Sequence, residues 1–242
     1  MKKHPLLYSG LLILLIWTFF YILLSKSFMP SPLETLAYVF HHFTLLMSHL
    51  LVSFYRIGIS ILITVILGGS LGILIAQNKK VDQFLSPLIY TLYPIPKIAF
   101  LPLIMLFFGL GNLSKIILIS LILFFQITLS VRDSVKNIHP SYYLSIKSLG
   151  AGKRDLYRHV ILPAMLPNLF TALRVSVGTA ISVLFFAENF ATRFGIGYFI
   201  MDSWLKLDYV AMFAGIIAIS LMGRFIFSTI DYLERKYCAW SR

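Results

Sequence analysis

The sequence predicts an all-α integral membrane protein of six spanning helices, and three observations carry that class. Of the 242 residues, 59% are hydrophobic and only 12% are charged, against about 45–50% apolar and roughly 25% charged in soluble domains. The apolar residues fall in long runs, each near the ~20 residues that a helix needs to cross a hydrocarbon core. The charges, with a net balance of +12, lie in short clusters between those runs, which orients spans rather than building a basic face for nucleic acid. An ordinary soluble enzyme is excluded, because a globule of this length cannot hide so much apolar surface. A disulfide-built module is excluded by the single cysteine, Cys238, and disorder by the apolar richness.

The spans follow in order. An uncharged run over 5–25 exceeds the ~7–15 apolar residues of a signal peptide and is followed by no A-x-A site, so it predicts a retained first span. The second run, 57–78, contains Gly68 and Gly72 at the G-x-x-x-G spacing, which admits a close helix neighbour. Runs over 98–114 and 116–131 give the third and fourth spans. The fifth, 163–188, is interrupted by Arg174, and the sixth, 209–230, carries Arg224 near its end. With the N-terminus inside, the inner segments carry 13 basic residues (Lys2, Lys3, Lys79, Lys80, Arg132, Lys136, Lys147, Lys153, Arg154, Arg158, Arg235, Lys236, Arg242) and the outer segments 5 (Lys26, Arg56, Lys115, Arg193, Lys206). That excess predicts both termini on the inner side.

Between the fourth and fifth spans the chain leaves the membrane over 132–162, too long for a turn and too apolar for a linker. Tyr142, Tyr143, Ile146 and Leu149 fall at helical spacing, Gly150 and Gly152 bracket Ala151 as a break, and Leu156, Tyr157, Val160 and Ile161 resume the pattern up to Pro163. Two short amphipathic helices around a glycine turn are expected. Two readings are open: a hairpin lying on lipid headgroups, or a docking platform for a soluble partner.

This loop resembles the EAA loop of binding-protein-dependent ABC importer permeases, through Leu144-Ser145-Ile146, Gly150 and Ile161-Leu162-Pro163; the first three stand where the family usually has Glu-Ala-Ala. Three further groups resemble the nitrate/sulfonate/taurine branch of that family. They are Tyr93-Pro94-Ile95-Pro96 with Phe100-Leu101-Pro102-Leu103 and Phe108-Gly109-Leu110-Gly111; then Leu173-Arg174; then Ala187-Glu188 with Gly195-Ile196-Gly197-Tyr198. The resemblance runs from about His49 to the end. It implies an N-terminal span and outer segment over 1–48 and a type I ABC importer permease core over 49–242, with 132–162 as a cytoplasmic coupling-helix loop. It further implies a multi-pass protein of a bacterial or archaeal cytoplasmic (inner) membrane, paired with a second copy as a homodimer. Two ATPase subunits and an extracytoplasmic solute-binding protein would complete the importer. The chain has no G-x-x-x-x-G-K-[ST] loop, so ATP and Mg belong to the partner ATPase, and no cofactor is expected on this chain. The branch handles small anions such as nitrate and sulfonates, and also thiamine precursors.

Under that resemblance, Tyr142, Tyr143, Ser145, Ile146, Lys147 and Leu149 are the expected ATPase-coupling helix. Gly150 and Ala151 form its turn, and Arg154 and Asp155 are rim contacts. Arg174 and Glu188, fourteen residues apart, lie within about 40° on one helical face and about 21 Å apart along it, too far to pair. With Gly178, Ile181 and Phe185 between them and Asn189 beyond, they form an expected translocation stripe. The alternative is that Arg174 snorkels inward or binds a carbonyl, and that Glu188 sits at the outer interface. Lys97 is expected at the inner end of the third span, reaching headgroups. His41, His42 and His49 read as solvated outer histidines rather than a metal site, lacking a cysteine partner. Cys238 is either a plain thiol or a palmitoylation site. No nucleophile, base and acid fall into a catalytic set, so the chain reads as a transport subunit and not an enzyme. The rival class is an ion-gradient-driven secondary transporter, which favours inverted repeats; no convincing internal repeat is evident.

Overall fold

A computed structural model of the chain describes residues 5–23 and 29–241. Lys2, Lys3, Lys26 and Arg242, counted above, and the last two residues of the 5–25 run lie outside them. Every regular element described is helical. They are α1 (Pro5–Leu23), α2 (Pro32–His41), α3 (Phe43–Gln77), α4 (Lys79–Leu92) and α5 (Leu101–Phe108). After these come α6 (Asn112–Lys136), α7 (Pro140–Ser148), α8 (Lys153–Leu156), α9 (Leu162–Glu188), α10 (Ile196–Leu205) and α11 (Tyr209–Tyr237). By length and composition four helices among the described residues can cross a membrane: α3, α6, the continuous helix Lys153–Glu188, and α11. A fifth span is present if α4 and the segment Lys97–Phe108, bent by 85°, count together; the apolar part of α1, Gly10–Leu23, is shorter. The chain is a multi-pass membrane protein.

The third span is the main correction to the expected elements. A straight helix over 98–114 does not form, because α5 ends at Phe108 on Gly109, at φ +80°, before α6 opens. Pro94 and Pro96 each lack an N–H, so the helix ends at Leu92 and restarts as a tight turn at Lys97–Phe100 leading into α5. The last residues of that run, from Asn112, instead open α6. Arg56 and Lys115, assigned above to outer segments, lie inside α3 and α6 and are buried.

Contacts divide the chain into two compact units. In the first, Met1–Ser53 with Glu188–Met222, Ser31 and Glu34 close a reciprocal cap on α2. Trp17 donates to the Pro30 carbonyl and stacks on Phe213. The second unit, Phe54–Ala187 with Gly223–Arg242, is built on α3 against α6. Ser60, Thr64, Gly68 and Gly72 recur every four residues along α3. The Ser60 and Thr64 hydroxyls donate to the Ile116 and Ser120 carbonyls at 3.2 and 3.4 Å. A Cβ on Gly72 would stand 2.7 Å from the Thr128 carbonyl oxygen. The expected G-x-x-x-G close approach is therefore present, and α6 is the helix that uses it.

Candidate functional site

Helix α7 is set apart by chemistry at both ends. His139 accepts from the Ser141 N–H at its start, and Pro140 occupies the first turn, where a missing N–H costs nothing. At its end Gly150, at φ +77°, donates to the Lys147 carbonyl, and the Ala151 N–H reaches back to Ile146. This is a Schellman closure, which requires a left-handed residue and so selects glycine. Asp155 then accepts from the Gly152 N–H at 3.0 Å and opens the next helix as its cap, while remaining exposed.

That next helix corrects a second expectation. A separate short helix ending at Pro163 was anticipated. Instead α8 continues through a π-turn at Tyr157–Ile161 directly into α9, so 153–188 is one rod. Pro163 sits near the start of α9, and its lost hydrogen bond falls where the ladder is already rearranged. The two tyrosines of α7 divide. Tyr143 is half-buried and shares a cavity of about 700 Å³ with Gln77, Lys147, Lys153, Leu156 and Tyr157. Burial, with Tyr157 nearby, pushes its phenol above the ordinary tyrosine range, so it stays neutral. The Tyr157 hydroxyl donates to the Gln77 side-chain carbonyl. Tyr142 is 63% exposed and Leu149 82%; Leu144, Ser145 and Lys147 are exposed as well, while Ile146 is half-buried. Arg154 is exposed.

Glu188, the last residue of α9, has no exposed surface. Ser53 donates its hydroxyl to both carboxylate oxygens at 2.8 and 3.0 Å, and the Gly197 N–H donates to Oε2 at 2.8 Å. The Ser53 oxygen accepts from the Ile196 N–H at 2.8 Å. His49 lies beside it, with Nδ1 3.1 Å from the Gly195 carbonyl and its ring among Phe194, Tyr198 and Phe199. Thus His49 is a buried packing residue and not a solvated one; His41 and His42 are exposed, and His42 stacks on Tyr38. The cluster clamps the start of α10. Asn189 is half-buried beside Glu188 in sequence, with its Oδ1 unpaired.

Arg174 belongs to the other unit and has different company: its Nε donates to Asp231 at 2.9 Å and Nη2 to Glu234, both on α11. Ile181, on the same stripe, packs against Gly223 of α11. The stripe through Arg174 and Ile181 is therefore an ionic and apolar contact with α11; Gly178 is exposed and Phe185 half-buried. Lys97 does not reach out to headgroups. It is buried, and its ammonium donates to the carbonyls of Leu92, Tyr93 and Ile95 at 3.1, 2.8 and 3.3 Å, capping the broken end of α4. Cys238 is 2% exposed and burial pushes its thiol up, so it offers no accessible thiolate for acylation. Reading the sequence missed Ser53, Asp231 and Glu234; the Gly195-Ile196-Gly197 run was visible, but as a motif without its carboxylate partner.

Comparison with known proteins gives consistent results. Residues 64–237 match the family described as binding-protein-dependent transport system inner membrane component. The chain is 32% identical over 219 residues to the putative aliphatic sulfonates transport permease protein SsuC of Bacillus subtilis (strain 168), covering 89% of this chain and 79% of that one. It is 29% identical over 234 residues to the formylaminopyrimidine transport permease protein ThiX of Halalkalibacterium halodurans, covering 96% and 94%. A chain of the MetNI methionine ABC transporter, solved in inward facing conformations, superposes with a TM-score of 0.68 at 17% identity, covering 81% of this chain and 97% of that one.

Proposed function

The chain belongs to the family of binding-protein-dependent transport system inner membrane components, the permease subunits of ABC importers, and on that premise we propose that α7 is its ATPase-docking helix. The observation that carries this is the joint between α7 and the spanning rod 153–188. A short helix with exposed Tyr142, Leu144 and Leu149 is fixed to that rod by the Gly150 closure, the Asp155 cap and the seat of Tyr143. A push on α7 therefore moves a span rather than a flexible loop. Aromatic side chains at the centre of an interface are the residues that carry its energy, and Tyr142 is the one presented outward.

In this reading two copies form a homodimer with two ATPase subunits, which alone bind ATP and Mg, and an extracytoplasmic binding protein delivers the solute. The solute is a small anion or small organic molecule; the relatives named for sulfonates and for formylaminopyrimidine both fit that range. Six spans place both termini and α7 on the cytoplasmic side.

Two experiments test this. Tyr142→Ala is expected to weaken copurification of the ATPase by about 2 kcal/mol, the threshold of an interface hot spot, whereas Tyr143→Ala loosens the seat of α7 and lowers solute-stimulated ATP hydrolysis more than copurification. Undiminished copurification in Tyr142→Ala would remove α7 from the interface. For topology, single cysteines replace the exposed Leu33, Leu205 and Ser148 in a Cys238→Ser background, and intact cells are treated with an impermeant thiol reagent. Labelling of Leu33→Cys and Leu205→Cys but not Ser148→Cys is the expected pattern, and the reverse pattern inverts the orientation.

A further inference from the structure

The cavity of about 700 Å³ beside α7 lies where three spanning helices end. Gln77 is the last residue of α3, Lys136 the last of α6, and Lys153 the first of the rod 153–188. All three line the cavity together with Tyr143 and Lys147 of α7, so it stands at the boundary between hydrocarbon and water. One wall is apolar: Val135 and Ile161 are buried, and Ile138 and Leu156 half-buried. Leu74, 50% exposed, precedes Gln77 by one turn on the same side of α3 and continues that wall toward the bilayer.

The polar lining is built from two matching pairs. Tyr143 and Lys147 stand four residues apart on α7, and Lys153 and Tyr157 four apart on the rod, so each helix turns one phenol and one lysine to the same side. Two of the polar groups are already satisfied: Lys136 pairs with Asp82 at 2.6 Å, and the Tyr157 hydroxyl donates to the Gln77 carbonyl. Among the described residues Lys147, Lys153 and the Tyr143 hydroxyl have no hydrogen-bond or ion-pair partner, and no carboxylate lines the cavity. The Gln77 amide keeps its N–H groups. Every uncommitted group is thus a donor, two of them are cations, and they approach from three different helices. Their complement is an anion with several acceptor oxygens pointing in different directions, which describes a phosphate.

We infer that this cavity binds the phosphate of an anionic phospholipid headgroup. Lys147 and Lys153 balance its charge, while the Tyr143 hydroxyl and the Gln77 amide donate to its remaining oxygens. The glycerol lies on the apolar wall, and the acyl chains leave past Leu74. Basic pockets between spanning helices hold lipid headgroups in this way. A zwitterionic headgroup fits less well, because its own ammonium would stand among the lysines. Free phosphate offers the same oxygens but leaves the apolar wall and Leu74 uncovered, which favours the lipid as the source. The site stands whether or not α7 docks an ATPase.

The test uses the full-length chain, delipidated in a neutral detergent and titrated with dioleoylphosphatidylglycerol or dioleoylphosphatidylcholine, with bound lipids counted by native mass spectrometry. A lysine near an anionic lipid is worth about fivefold in affinity, so the parent is expected to hold its first phosphatidylglycerol about 25-fold more tightly than phosphatidylcholine. Lys147→Gln and Lys153→Gln should each lose about fivefold of that preference, and the double variant nearly all of it. Tyr143→Phe keeps the ring in its seat and should lose about threefold through the missing donor. The control is Lys79→Gln with Lys80→Gln, two exposed lysines at the start of α4 that do not line the cavity; it should retain the preference. Equal affinity for the two lipids, or an equal loss in both double variants, overturns the site. An unchanged Tyr143→Phe removes the hydroxyl from it. Inorganic phosphate and chloride at matched ionic strength are expected to displace the lipid equally, and selective displacement by phosphate overturns the lipid in favour of a soluble phosphate. No ATPase is present, so failure here counts against the lipid site alone, whereas the permease reading stands or falls on copurification.

Discussion

Gly195→Ala is expected to free the segment between α9 and α10 and to abolish transport while the spans still insert. At φ +140° the backbone lies in a region that only glycine occupies without strain. A Cβ there would also fall 2.5 and 2.6 Å from the two carboxylate oxygens of Glu188. Either the backbone or the carboxylate must move, and a displaced Glu188 would leave Ser53 and the Gly197 N–H unpaired in a buried site. Backbone strain and a lost buried acceptor together cost about 3 kcal/mol or more. Arg193 is exposed in the affected segment, so trypsin cleavage after it reports the opening and is expected to quicken roughly a hundredfold for that cost. Glu188→Gln is the milder companion. Its amide turns a donor either toward the Gly197 N–H, or toward Ser53, whose hydroxyl proton then loses its acceptor, and a smaller rise in cleavage, of about tenfold, is expected. Cleavage at the parental rate in both variants would show that the cluster does not hold this segment.

The second large effect is at Gly150. Gly150→Val puts a β-branched side chain at φ +77°, which costs at least about 1–2 kcal/mol in the left-handed region. No atom lies within 4 Å of the added Cβ, so the strain is in the backbone and not in packing. Relief comes by breaking the two hydrogen bonds that close α7, from Gly150 to Lys147 and from Ala151 to Ile146. Helix α7 then loses its fixed angle to the rod 153–188, and ATPase copurification and solute-stimulated hydrolysis are expected to fall about tenfold. Gly150→Asn, which tolerates the same conformation, should retain most of both. Equal loss in Asn and Val would point to the surface of Gly150 rather than its backbone.

Much of the fold was legible because its signals are local. Helix α7 and its end at Gly150 were read from apolar spacing and a glycine pair, both properties of neighbouring residues. The close approach at Gly68 and Gly72 was read in the same way. The break inside the third span was not legible: the apolar run over 98–114 continues across Gly109 and Gly111, and only the structure shows that Gly109, at φ +80°, ends α5 there. The merger of α8 with α9 was not legible: a glycine turn followed by Pro163 looks like two stops, and only the π-turn at Tyr157–Ile161 absorbs the proline.

Composition and charge clustering by themselves determined that this chain crosses a membrane repeatedly and carries an amphipathic loop between two late spans. Only the tertiary structure decided what Glu188, Arg174 and Lys97 do. Along a helix apolar on nearly every side, hydrophobic periodicity does not say which face meets protein, and so the stripe through Arg174 could not be told from its neighbour. The partner of a buried polar group is set by chain packing rather than by spacing. Glu188 meets Ser53 across 135 residues and Arg174 meets Asp231 across 57, and no local pattern encodes a hydrogen bond over such a distance.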